Sequence, residues 1–197
     1  MTKNILFVFV FVVFLFLSQC KVIDETNNMH ETGTITDFEG NIYATIKIGN
    51  QWWMAENFKA THAADGTQLN GVYAYDDDEN NIFEYGRLYN YNAALNGAPT
   101  GWRLPSRQEW DILIANFGNN AGAELKEGGN SGFEGVLGGV RHYEGGYSSL
   151  NVAGLFWSST PNSSDHNYIL NLFAGEDEAV ISGFGIIGAI SVRYIRD

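Results

Sequence analysis

The chain has 197 residues, enough for one domain with a sizeable core and an appendage. Hydrophobic residues make up 45% and charged residues 17%, with 23 glycines and 3 prolines, a globular, turn-rich composition unlike that of a disordered chain. A formal net charge of -12 argues against nucleic acid as a partner, because phosphate binding needs a basic face.

The chain opens with a short, weakly basic stretch, Met1-Thr2-Lys3-Asn4, followed by an unbroken apolar run from Ile5 to Leu17. That run is shorter than the about 20 residues a membrane-spanning helix needs, but it suits the apolar region of a secretory signal. Leu17-Ser18-Gln19-Cys20 resembles a bacterial lipobox, with Gln19 standing where a small residue is usual. Residues 1–19 therefore read as a lipoprotein signal peptide. Cys20 is expected to carry a diacylglyceryl group as the mature N-terminus, so the membrane becomes a partner through a lipid anchor. A plain signal peptide with an incidental cysteine is the alternative. Cys20 is the only cysteine in the chain. The folded part thus has no disulfide, thiolate zinc site or catalytic cysteine. Residues 20–36 read as the lipidated cysteine and a flexible tether, with an N-terminal edge strand near Thr34–Thr36 as the alternative.

The domain proper is expected over residues 37–197. Ile42–Ile48 (IYATIKI) alternates like a strand, Gly49-Asn50 makes a turn, and Gln51–Met54 (QWWM) makes a second strand, so a hairpin is predicted. Val72–Tyr75 reads as a short strand, Asp76–Asn81 (DDDENN) as an acidic loop, and Glu84–Leu95 as an aromatic stretch with a helical tail. Ser106-Arg107-Gln108-Glu109 matches a capping box, with Pro105 and Trp110 in the staple positions. Trp110, Leu113, Ile114 and Phe117 then fall on one helical face, and Gly118 is placed to close the helix. A short helical piece is expected near Ala123–Lys126, and strands over Gly138–His142, Gly154–Thr160, Tyr168–Phe173 and Ala179–Ile181. Ser191–Ile195 (SVRYI) alternates as a last strand. The class is α+β: short, mostly antiparallel strands, one or two helices and long ordered loops.

Five ordered blocks carry a resemblance. They are Gly40-Asn41-Ile42-Tyr43 with Lys47-Ile48-Gly49-x-Gln51-x-Trp53-Met54-Ala55-Glu56-Asn57; Tyr85-Gly86-Arg87-Leu88-Tyr89-Asn90; Pro99-x-Gly101-Trp102-Arg103-Leu104-Pro105-Ser106-x-x-Glu109-Trp110; Phe156-Trp157-Ser158-Ser159-Thr160; and Ser191-Val192-Arg193. In this order they resemble the Fibrobacter succinogenes major paralogous domain family, over roughly Asp37 to Asp197. The resemblance implies a bacterial surface lipoprotein domain of C-type lectin-like fold, similar also to formylglycine-generating-enzyme domains, and carries no known reaction. Relatives usually place cysteines where this chain has Ala98 and Tyr194. The joint loss implies a missing disulfide and a last strand held by packing alone.

Candidate chemistry is sparse. Asp76, Asp78 and Asn80 offer hard oxygen ligands for Ca²⁺, without the glycine and glutamate of an EF-hand loop, and a solvated acidic turn is the alternative. Trp52 points away from Trp53 in a strand, and it is the first candidate for stacking on a sugar, followed by Tyr73, Tyr75, Tyr143 and Tyr147. All five also suit packing positions. Gly183-x-Gly185-x-x-Gly188 spells a dinucleotide motif, but the nine residues after it cannot complete a βαβ unit. The four histidines, His30, His62, His142 and His166, show no metal-ligand spacing. The expectation is a non-enzymatic, lipid-anchored module of the bacterial cell envelope, at the outer membrane or cell surface, binding extracellular glycan or protein. A structural or adhesion subunit is the first alternative, and a hydrolase with a paired-carboxylate site the second.

Overall fold

A computed structural model of the protein describes residues 30–197. The expected signal peptide, Cys20 and the first part of the expected tether lie outside the described residues. In chain order the elements are β1 (Thr32–Thr36), β2 (Ile42–Ile48), β3 (Gln51–Met54), β4 (Val72–Tyr73), α1 (Ile82–Tyr85), β5 (Leu88–Tyr89), α2 (Tyr91–Asn96), α3 (Arg107–Ala115), α4 (Ala121–Leu125), β6 (Gly138–Arg141), β7 (Tyr147–Leu150), β8 (Ala153–Pro161), β9 (His166–Phe173), β10 (Val180–Gly185) and β11 (Ile195–Arg196). The class is α+β, as the sequence predicts. Four α-helices replace the one or two expected, because Gly86 and Gly97 end α1 and α2 within a turn or two. Among the described residues, no helix is long and apolar enough to cross a membrane.

A four-stranded antiparallel sheet runs in the order β1-β2-β3-β11, and a three-stranded one in the order β10-β9-β8. The pairs β4–β5 and β6–β7 stand beside them. The β2–β3 hairpin forms where the sequence places it, with Gly49 at φ +62° in its turn. The tether reading fails at its last residues. Thr32–Thr36 pairs antiparallel with Ile42–Ile46 of β2 and is the edge strand of the first sheet.

That sheet is covered on both faces. Tyr43 and Met54 enter one core with Phe58, Tyr89, Trp157 and Tyr194, while Ile46, Ile48 and Trp53 enter the other with Trp110, Phe133 and Phe156. Strand alternation sends neighbours Trp53 and Met54 to opposite cores. The C-terminal segment departs from the alternation read in the sequence. Every residue from Ala189 to Ile195 is buried. The segment bridges to Arg141, Tyr89, Phe156 and Arg103 in turn, so it threads between elements and has no solvent face. It is held by more than packing. Tyr194 donates its hydroxyl to the Ala94 carbonyl at 2.8 Å, and the half-buried Ala98 packs against the same core.

Helix α3 starts with the capping box its sequence spells. Ser106 Oγ accepts from the Glu109 amide at 3.3 Å, and Glu109 Oε2 accepts from the Ser106 amide at 2.7 Å. Trp110 and Leu113 are buried against the second core, with Ile114 and Phe117 packed at its edge. The helix ends before Gly118, because Asn116 Nδ2 takes up the Ile112 carbonyl at 3.1 Å; Gly118, at φ +58°, opens a 3₁₀ turn instead.

Glu109 also accepts from both Arg103 terminal nitrogens, at 2.9 and 2.8 Å, and from Gln51 Nε2 at 2.7 Å. Burial alone pushes this carboxyl up, but the Arg103 guanidinium, the Ser106 amide and Gln51 outweigh it and hold the pKa at about 2. A folded pKa below the ordinary 4.5 means that this contribution is complete above pH 4.5 and is lost as pH falls through about 2. Thermal melts should therefore show Glu109→Gln about 1 kcal/mol less stable than the wild type at pH 7. The gap should narrow between pH 4.5 and 2, and a gap that stays constant with pH would contradict the assignment.

Candidate functional site

The β6–β7 hairpin projects a glycine-rich tip. The His142 amide donates to the Gly146 carbonyl and the Gly145 amide to the His142 carbonyl, with Gly145 at φ +101°. At its base, Arg141 pairs backbone to backbone with Ala189 at 2.9 Å in both directions. This seats the tip over the turn that follows β10.

Between them lies a cleft of about 530 Å³, lined by His142, Tyr143, Asp165, His166, Phe184 and Ile187 together with turn glycines. Its floor is tied to the core: the Phe184 ring packs edge-on against Trp157, with centroids 5.6 Å apart. Trp157 is fixed in turn by donating Nε1 to the Tyr89 carbonyl at 2.7 Å. Gly188 is required there, since a Cβ would come within 2.7 Å of the Phe184 ring. The rim is apolar and open, with Tyr143 and Ile187 each 71% exposed. Tyr143 donates its hydroxyl to Glu144 at 2.7 Å, which leaves the ring face to solvent and raises the phenol pKa. Polar atoms come from two imidazoles and one carboxylate. His166 Nδ1 lies 2.9 Å from Asp165 Oδ1, which also accepts from Ser163 Oγ at 2.8 Å. His142 Nε2 lies 2.8 Å from Ser148 Oγ. An open aromatic face beside a few oriented polar groups can stack a sugar ring and bond its hydroxyls.

Residues 46–196 match the sequence profile of the family described as the Fibrobacter succinogenes major domain. The chain belongs to this family. All the cleft residues fall inside the matched span, whereas β1 and the first half of β2 precede it. No curated protein and no solved structure matches this Fibrobacter succinogenes major domain.

Of the five aromatic residues proposed from the sequence as ligand contacts, only Tyr143 lines the cleft. Tyr73, Tyr75 and Tyr147 gather beside the hairpin around Arg141. Its guanidinium lies 3.8 Å from the Tyr73 centroid and 5.7 Å from that of Tyr147. Tyr75 is buried against Tyr147, with centroids 5.3 Å apart, and is a packing residue rather than a ligand contact. Tyr147 donates to Asp77 Oδ1 at 2.5 Å; burial and this bond push its pKa up to about 12. Trp52 is also corrected. It is half-buried against the first core, and the Arg196 guanidinium covers it 5.4 Å from the ring centroid, so no free platform remains there.

Of Asp76, Asp78 and Asn80, where calcium is expected, the structure shows two bonded to each other. Asp78 Oδ1 accepts from the Asn80 amide and from Asn80 Nδ2, at 3.0 and 2.7 Å, and so caps the 3₁₀ turn at Glu79–Asn81. Among the described residues, no three His, Cys, Asp or Glu side chains are grouped to hold a metal. Sequence reasoning missed His142, Asp165, His166, Phe184 and Ile187. The available signal was an aromatic next to a histidine on a glycine-rich turn, and Ile186-Ile187 stranded among glycines.

Proposed function

We propose that this Fibrobacter succinogenes major domain is a non-enzymatic, lipid-anchored surface module of C-type lectin-like fold, and that it binds an extracellular glycan in the Tyr143 cleft. The observation that carries this reading is an aromatic ring with an open face at the mouth of a cleft that also offers two imidazoles and Asp165. The anchor follows from Cys20 at the lipobox position. A second reading, docking to another surface protein, is favoured by Phe83, which stands 96% exposed on α1.

The test is a panel of neutral, amino and acidic polysaccharides against the full-length protein. Saturable binding of one class, weakened by Tyr143→Ala, is expected. Binding to none of them would overturn the glycan reading and leave protein docking. Intact mass of the mature chain tests the anchor, which should appear as a diacylglyceryl group on Cys20.

A further inference from the structure

A second cleft, of about 450 Å³, opens between β1 and the turn leading to Trp102. Its lining includes Thr34, Thr36, Phe38, Thr100, Trp102 and Arg196. The Arg196 guanidinium lies 5.4 Å from the Trp52 ring and 5.3 Å from the Trp102 ring, so two indoles hold one planar cation in place. Three other guanidiniums are paired with carboxylates, Arg87 with Glu79, Arg103 with Glu109 and Asp197, and Arg107 with Asp111, while Arg141 is sandwiched by the Tyr73 and Tyr147 rings. Among the described residues, Arg196 has no such carboxylate. Its chain neighbour Asp197 pairs with Arg103 at 3.0 Å instead. Asp37, the one carboxylate in the lining, already accepts from the Asn41 amide, Asn41 Nδ2 and the Tyr43 hydroxyl.

A guanidinium fixed before its ligand arrives is preorganised for an anion, and its fork matches a carboxylate. The surroundings narrow the class. Three threonines share the cleft, and Phe38, 57% exposed, stands in its wall. Hydroxyl-bearing residues and an aromatic ring beside a planar cation suit a ligand that is both a sugar and an acid. We propose that this cleft binds a uronate residue of an acidic polysaccharide, with Arg196 taking the carboxylate and Phe38 the sugar ring. The site is separate from the Tyr143 cleft and stands or falls independently of it.

The experiment titrates trigalacturonate into the full-length protein. Calorimetry is followed beside intrinsic fluorescence, which reports on Trp52 and Trp102. Saturable binding that weakens with added salt is expected. Arg196→Gln should weaken it about tenfold or more, and Arg196→Lys several-fold, because a point charge cannot replace the fork. Phe38→Ala should weaken it too, while Tyr143→Ala should leave it unchanged. Maltotriose, which has no carboxylate, should not bind here. Unchanged affinity in Arg196→Gln would overturn the proposal, as would equal binding of maltotriose by the Tyr143→Ala variant. Equal binding of inorganic sulfate or an acidic tripeptide would overturn the sugar assignment. If Arg196→Gln lowers the melting temperature, Arg196→Lys and Phe38→Ala decide the matter.

Discussion

Replacing Arg193 by alanine should cost about 3–5 kcal/mol of stability and lower the melting temperature by about 10 °C or more. Arg193 is completely buried, yet among the described residues no carboxylate bonds it. Its guanidinium donates to Asn57 Oδ1 at 2.8 Å, to the Met54 carbonyl at 3.0 Å, and to the carbonyls of Phe133 and Glu134. It also lies against the rings of Phe133 and Phe156, 4.8 and 5.7 Å from their centroids. Burial lowers its pKa to about 9, which still leaves it protonated at pH 7. The cation therefore ties the C-terminal segment to the end of β3 and to the loop before β6, three pieces far apart in the chain. Alanine would leave a cavity and several buried carbonyls without donors. Lysine should recover little, because one ammonium cannot reach acceptors on several sides. Chemical denaturation of the three proteins measures this. A loss under about 1 kcal/mol for the alanine variant would mean the segment is held by Tyr194 and packing alone.

Tyr143→Ala should weaken glycan binding about tenfold or more and leave the melting temperature unchanged. The ring is mostly in water and makes one hydrogen bond, to its exposed neighbour Glu144, so its removal takes little from the fold. What it removes is the stacking face at the mouth of the cleft. Tyr143→Phe separates the two roles: it keeps the face and loses only the bond to Glu144, so its affinity should stay near wild type. Calorimetry with the glycan class selected by the panel gives both affinities. Equal weakening in the two variants would assign the effect to the hydroxyl rather than the ring.

The parts of this fold that were legible in the sequence are local. The β2–β3 hairpin needs only alternation and a Gly-Asn turn, and the α3 cap needs only Ser106 and Glu109 three residues apart. The family blocks were legible for the same reason: Trp110, Trp157 and Arg193 sit within short fixed strings. What was hidden depends on partners distant in sequence. Thr32–Thr36 looks like tether because its pairing is with β2, and its threonines alternate with no strong apolar face. Ser191–Ile195 looks like a half-exposed strand because nothing in it announces that four other segments surround it. Trp52 was misjudged because Arg196 covers it from the far end of the chain. The cleft combines residues 142–143, 165–166 and 184–187, three turns that meet only when β6–β7, β8–β9 and β10 are in place. No spacing rule could have joined His142 to His166.

Glycan binding at the Tyr143 cleft can be observed residue by residue. The most direct measurement is amide chemical-shift mapping of the labelled protein during titration with the polysaccharide fragment that the panel selects. Saturable shifts should concentrate at His142, Tyr143, Asp165, His166, Phe184 and Ile187, while the acidic turn at Asp76–Asn80 and the buried Tyr75 stay still. Saturable shifts confined to other surfaces, with those six residues unmoved, would contradict it.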